Sequence, residues 1–199
     1  MRPFRRTGDR LDAELEGAEA RLIVNLAAQL ITLLRDRSGD ADEAHSVDSE
    51  GLDVFARLEQ RGPRSISVDP VLARLLPDAY RDDEQASAEF RRLTEPGLID
   101  RKVAQLRTVV ADLTSIETVT EEDAEDLPVD LDEAGALAWL RAFTDLRLAL
   151  ASRLGIESET PRGPEEPDED TVGLLAVYDW LGLVQESLVA ALQAEPLSS

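Results

Sequence analysis

The sequence predicts a mainly α protein: a single-domain helical bundle of about five longer helices, with a short N-terminal β-hairpin and acidic linkers. Three observations predict this class. Apolar residues recur at three- and four-residue spacing over five long stretches, the signature of helices that bury one face. One stretch near the N-terminus alternates instead, behind a turn signal. Finally, 43% apolar residues in a 199-residue chain are enough for one real core. With only four Phe, two Trp and two Tyr, that core must be aliphatic.

The hairpin comes first. In "FRRTGDRLDAEL", Leu11, Ala13 and Leu15 alternate after Thr7, Gly8 and Asp9. Two strands alone are marginal, so the hairpin must lean on helices. From Gly17 to Arg35, Leu22, Leu26, Leu30, Leu33 and Leu34 mark one face of a first helix. "GLDVFARLEQ" offers one or two helical turns before the Gly62–Pro63 break. Asp69 and Pro70 form a cap and first turn for "PVLARLLP", which Pro77 closes. A helix over 82–93 follows, with Asp82, Asp83 and Glu84 at its positive end. "TEPG" at 94–97 should break it, and another helix should span 98–113.

Asp130 or Asp132 then caps the most apolar helix, "ALAWLRAFTDLRLALASRLGI", which ends at Leu154 before Gly155. Its nearly continuous apolar character predicts that it is the central, most buried helix. A final helix over 171–194 carries Leu174, Val177, Leu181, Val184, Leu188 and Ala191 on one stripe and should pack against it.

The net charge of −21 is concentrated in three segments. Residues 36–53 hold seven acids and Arg37, residues 117–133 nine acids and no base, and residues 157–170 seven acids and Arg162. Elsewhere acids and bases balance. Such tracts bury too little apolar surface to fold alone and read as flexible linkers within one domain, 1–199.

Composition also excludes chemistry. There is no cysteine, hence no disulfide switch and no thiolate metal site. One histidine and one lysine cannot assemble the usual nucleophile and base constellations, so no enzyme and no cofactor are expected. His45 lies among Asp40, Asp42, Asp48 and Glu50, but Ala44 and His45 spoil an EF-hand loop, and no metal is expected. "MRPFRRTGDR" has no apolar core of a signal peptide, and Asn25 and Gln29 interrupt the 13-residue stretch "LIVNLAAQLITLL". Neither export nor a membrane span is expected, and the absence of cysteine allows a reducing cytoplasm.

Three groups of residues remain as candidate sites. Arg91, Arg92, Arg101 and Lys102 concentrate positive charge on "FRRLTEPGLIDRKVAQLR" and could meet an acidic protein partner. Direct nucleic-acid binding is not expected there, because Glu89, Glu95 and Asp100 interrupt the positive field. Arg141, Asp145 and Arg147 on the central helix could clamp a small anion, the alternative being arginines paired with acids of neighbouring helices. Tyr178 and Trp180, with Leu183, give the final helix more apolar surface than one packing face needs. A second copy covers it in a homodimer, or helix one and the hairpin cover it in a monomer.

Three blocks carry a family resemblance: "LPDAYRDDEQASAEFRRLTEPGLIDRKVAQLRTVVADL", "ALAWLRAFTDLRLALASRLGI" and "VYDWLGLVQESLVAAL". With the N-terminal "RPFRR" and "ELEGAEARLI" they resemble an actinobacterial family of AosR-like oxidative-stress transcriptional regulators, long described only as a domain of unknown function. Twenty arginines against one lysine fit a high-GC source. The resemblance implies a cytoplasmic, helical, non-enzymatic protein acting on transcription through a partner such as a stress sigma factor, in connection with sulfur metabolism.

Overall fold

A computed structural model describes residues 1–38, 69–77, 83–119, 126–156 and 168–194. The helical turns expected in "GLDVFARLEQ" and the loop around His45 lie outside the described residues.

Strands β1 (Arg2–Thr7) and β2 (Arg10–Glu16) form the expected hairpin. Gly8 turns it at φ +64°, in the left-handed region that a two-residue turn needs and that glycine enters without strain. The sheet nevertheless has three strands. Asp126–Leu131, β3, pairs antiparallel with the other side of β2, setting Leu131 opposite Leu11 and Leu127 opposite Leu15. Its side chains alternate, with Leu127, Val129 and Leu131 buried and Asp126, Pro128 and Asp130 exposed. The segment 117–133, read from its charge as a linker, therefore contributes a strand. Asp126 and Asp130 sit on the solvent face of an amphipathic β pattern.

Helix α1 (Gly17–Ser38) follows β2 without a loop. The Glu16 N–H donates to Glu19 Oε2 at 2.8 Å, half of a capping box. Helix α2 (Pro70–Leu75) starts as expected, with the Val71 N–H donating to Asp69 Oδ1 at 2.8 Å and proline in the first turn.

Helix α3 (Glu84–Val119) corrects the expected break, because it runs unbroken through Pro96 and Gly97. An interior proline costs about 3 kcal/mol. Contacts on both sides of it hold the helix in register. Arg37 Nε donates to Glu95 Oε1 at 2.6 Å, Arg35 Nη1 to Asp100 Oδ1 at 3.3 Å, and Ile99 is fully buried between these pairs. The carbonyl left without its donor belongs to exposed Arg92, where water can satisfy it.

Helix α4 (Glu133–Arg153) begins at Asp132, whose Oδ1 accepts from the Gly135 N–H at 2.7 Å, and ends before Gly155 at φ +70°. It is the central helix, as expected, packing against α1, α2, α3 and the sheet. Nine of its residues are buried, against six in α1. Trp139 is fully buried, edge-on to Phe4 at 6.0 Å and to Phe143 at 5.5 Å, so the few aromatics cluster where sheet meets helix.

Helix α5 (Glu169–Gln193) packs against α4 and β1. Asp168 caps it, accepting from the Thr171 N–H at 2.9 Å, with Glu169 and Asp170 at its positive end. It also covers the open edge of β1: the Phe4 N–H donates to Ser187 Oγ and Arg6 Nη1 to the Leu192 carbonyl, both at 3.3 Å. By length and composition alone α1 and α5 are apolar enough to cross a membrane, contrary to the reading of interrupted apolar stretches. In the fold each sets one face against the core.

Candidate functional site

The candidate residues all lie on α3, α4 and α5, where helical phase decides which of them meet. Lys102 and Asp145 meet each other across the α3–α4 interface. Lys102 Nζ donates to Asp145 Oδ1 at 2.6 Å, and the two side chains are only 14% and 6% exposed. Burial raises the Asp145 pKa from the ordinary carboxylate range, and the Lys102 ammonium opposes that rise. The sequence reading placed Lys102 on a partner surface and Asp145 in an anion clamp. Both placements are corrected, because each residue is the other's counter-ion inside the fold.

The three arginines of α4 diverge. Arg141 is exposed and stands apart from the pair, so the expected grouping of Arg141, Asp145 and Arg147 does not form. Arg153 Nη2 donates to Asp69 Oδ2 at 2.7 Å, with both side chains largely buried. Asp69 thereby caps α2 with one oxygen and holds α4 with the other.

Arg147 faces α5. Its guanidinium lies 4.8 Å from the centre of the Tyr178 ring, and Nη1 donates to Gln185 Oε1 at 3.0 Å. Gln185 is fixed in turn by donating from Nε2 to Thr144 Oγ1 at 2.7 Å. Beside the guanidinium an open groove of about 410 Å³ runs along Gln185, Glu186, Val189, Ala190 and Gln193.

The basic segment of α3 divides at Pro96. On the N-terminal side of Pro96, Arg92 and Leu93 are exposed, Leu93 to 67%, and Phe90 is 41% exposed. Arg91 and Arg92 line a second groove of about 380 Å³ together with Arg37, Ser38 and Glu95. Arg101 is exposed and turns back, Nε donating to the Gly97 carbonyl at 3.2 Å. Arg91, Arg92 and Arg101 thus remain near the surface while Lys102 leaves it.

Tyr178 and Trp180 are half-buried in the chain's own fold. Trp180 Nε1 donates to Glu19 Oε1 at 3.1 Å, across to the start of α1. Tyr178 packs under Arg147. The residues that α5 presents to solvent include Val172, Ala176, Asp179, Leu183, Glu186 and Ala190, with Leu183 at 66% exposure.

Two polar contacts tie distant elements together. Buried Trp139 donates from Nε1 to Asp112 Oδ2 at 2.7 Å, joining α4 to α3. The Asp69–Arg153 pair joins residues 84 positions apart. A tryptophan in an apolar helix signals that its N–H needs an acceptor, but nothing local names Asp112. No group of three or more His, Asp or Glu side chains comes together among the described residues.

These features define a mainly helical protein with an N-terminal antiparallel sheet, its charged residues paired across helix interfaces. The chain belongs to the family described as a domain of unknown function, DUF2017, whose model matches residues 1–192. It is 34% identical over 202 residues to proteins of Mycobacterium tuberculosis and Mycobacterium bovis named "Oxidative stress regulator AosR", covering 94% of this chain and 84% of each relative. A Mycobacterium leprae relative is 32% identical over 200 residues, with the same coverage. No solved structure matches the chain.

Proposed function

We propose that this chain is a cytoplasmic, non-enzymatic regulator of oxidative-stress transcription that acts by binding another protein. The similarity to relatives named as oxidative-stress regulators, along 94% of the chain, carries the reading. The partner is a component of the transcription apparatus, a stress sigma factor in the first instance, as the family resemblance implies.

The contact surface is the part of α3 before Pro96, where Arg92 and Leu93 stand beside the groove lined by Arg91. Exposed apolar surface beside arginine fits a partner segment that alternates acids and aliphatics, since interface centres favour arginine within apolar contact. Lys102 takes no part, being spent on Asp145. With no cysteine, this chain carries no thiol switch, and the response to oxidant enters through the partner or through abundance.

The test is direct binding of the purified chain to purified stress sigma factors of its source cell, compared with the double variant Arg92→Glu, Leu93→Asp. Binding that weakens about tenfold or more in the variant supports the proposal. Absence of binding to any sigma factor or polymerase subunit, with and without oxidant, overturns it.

A further inference from the structure

Among the described residues no carboxylate pairs with Arg147. Of the other half-buried arginines, Arg10, Arg35 and Arg153 spend their charge on Asp130, Asp100 and Asp69, and Arg6 gives its donors to the Gly8 and Leu192 carbonyls. Arg147 has only a neutral amide and an aromatic ring, and its buried Nε has no hydrogen-bond partner. In a chain with 42 acids to 21 bases, a half-buried guanidinium held by neither a carboxylate nor a backbone carbonyl is a departure.

The surroundings hold this guanidinium in place. Tyr178 supports its face, and Gln185, itself fixed by Thr144, accepts from Nη1. Gly182 makes the room. A Cβ there would stand 3.3 Å from Arg147 Nη2, so α5 carries glycine, a poor helix former, at the position that faces the guanidinium. Immobilising an arginine before its ligand arrives lowers the entropy lost on binding.

We infer that Arg147 and the adjoining α4–α5 groove form a binding site for a small aliphatic monocarboxylate. Its carboxylate sits on the terminal nitrogens of Arg147, and its carbon chain lies along Val189 and Ala190. The guanidinium supplies a forked pair of donors matched to a carboxylate. Glu186 on the rim, together with the net charge of −21, selects against a dianion such as phosphate. The side chains of Val189 and Ala190 offer apolar contact and no donor. A regulator with such a site would respond to a metabolite as well as to a protein.

The experiment is a titration of the full chain with sodium hexanoate, followed by amide chemical shifts, with hexanamide and inorganic phosphate as companion probes. Saturable shifts are expected at Thr144, Arg147 and Gln185, with hexanamide and phosphate at least about tenfold weaker. Arg147→Gln should weaken hexanoate by about tenfold or more while its melting temperature reports an intact fold. Ala190→Trp, at an exposed helix position, keeps Arg147 but fills the groove and should abolish saturation even if Arg147→Gln does not fold. Non-saturating shifts, hexanamide or phosphate as tight as hexanoate, or affinity unchanged in Ala190→Trp or in folded Arg147→Gln would overturn the inference.

Discussion

Breaking the Lys102–Asp145 pair from one side should cost far more than removing it from both. At 2.6 Å the charges attract by roughly 6 kcal/mol at an effective dielectric of about 20. With side chains 14% and 6% exposed, each ion has given up several kcal/mol of hydration, so the pair comes close to break-even. Asp145→Leu leaves a buried ammonium without a counter-ion and should destabilise by about 3–5 kcal/mol. Lys102→Met strands a carboxylate that can shed its charge. The double variant Lys102→Met, Asp145→Leu replaces the pair with apolar volume and should lie within about 1–2 kcal/mol of the parent.

The pH dependence follows from the raised pKa of Asp145, caused by burial and opposed by Lys102. A carboxyl whose folded pKa exceeds its unfolded value lowers stability as pH rises through the window between them, because the unfolded chain ionises first. Lys102→Met removes the opposing ammonium and widens that window upward. Its deficit should therefore be smaller near pH 5 than near pH 7.5. Urea unfolding of the four proteins at both pH values measures the coupling energy. If the double variant loses the sum of the single losses, the reasoning about buried charge is wrong.

Other contacts give further expectations. Trp180→Ala should lower the melting temperature without changing the sedimentation coefficient at micromolar concentration, because the indole bonds Glu19 within the chain; a change of oligomeric state would show that Trp180 serves an interface instead. Asp69→Ala should cost more than the roughly 1 kcal/mol of a lost helix cap, since it also removes the carboxylate bonded to buried Arg153, whereas Asp69→Asn should retain the cap and lose mainly the ion pair. Hydrogen exchange in α2 distinguishes the two. Pro96→Ala restores an N–H opposite the Arg92 carbonyl and should stabilise by about 1–3 kcal/mol in thermal unfolding.

Local signals were legible wherever they were also strong. Gly8 and Asp9 marked the hairpin turn, Asp69 and Pro70 the start of α2, and the near-continuous apolar run from Ala136 the central helix. Two elements escaped because a local signal was outvoted. Pro96 and Gly97 argue for a break, yet Arg35 and Arg37 hold α3 from outside it, and no local window contains those partners. The alternation Leu127, Val129, Leu131 was present, but the acids around it made a solvated tract the simpler reading. A strand added to β2 from more than a hundred residues away is visible only through its partner.

The site residues were harder for a related reason: sequence shows which charges exist, and helical phase and topology decide where they go. Arg141, Arg147 and Arg153 stand six residues apart on α4, and each step turns the side chain by about 240°. Three successive directions therefore meet three environments: solvent for Arg141, α5 for Arg147 and the start of α2 for Arg153. The spacing correctly denied them a single basic face. It could not say that the third direction holds a carboxylate and the second only an amide, a ring and a groove, because Asp69 and Gln185 are brought there by separate helices. An arginine in an acidic chain finds a carboxylate only where a neighbouring element presents one at the right height. On α5 the positions facing Arg147 are Tyr178, Gly182 and Gln185, none of them acidic. Had Gln185 been glutamate, the guanidinium would be neutralised within the fold and the groove would have no charge to offer. Gln185→Glu should accordingly abolish carboxylate binding while leaving the chain equally or more stable.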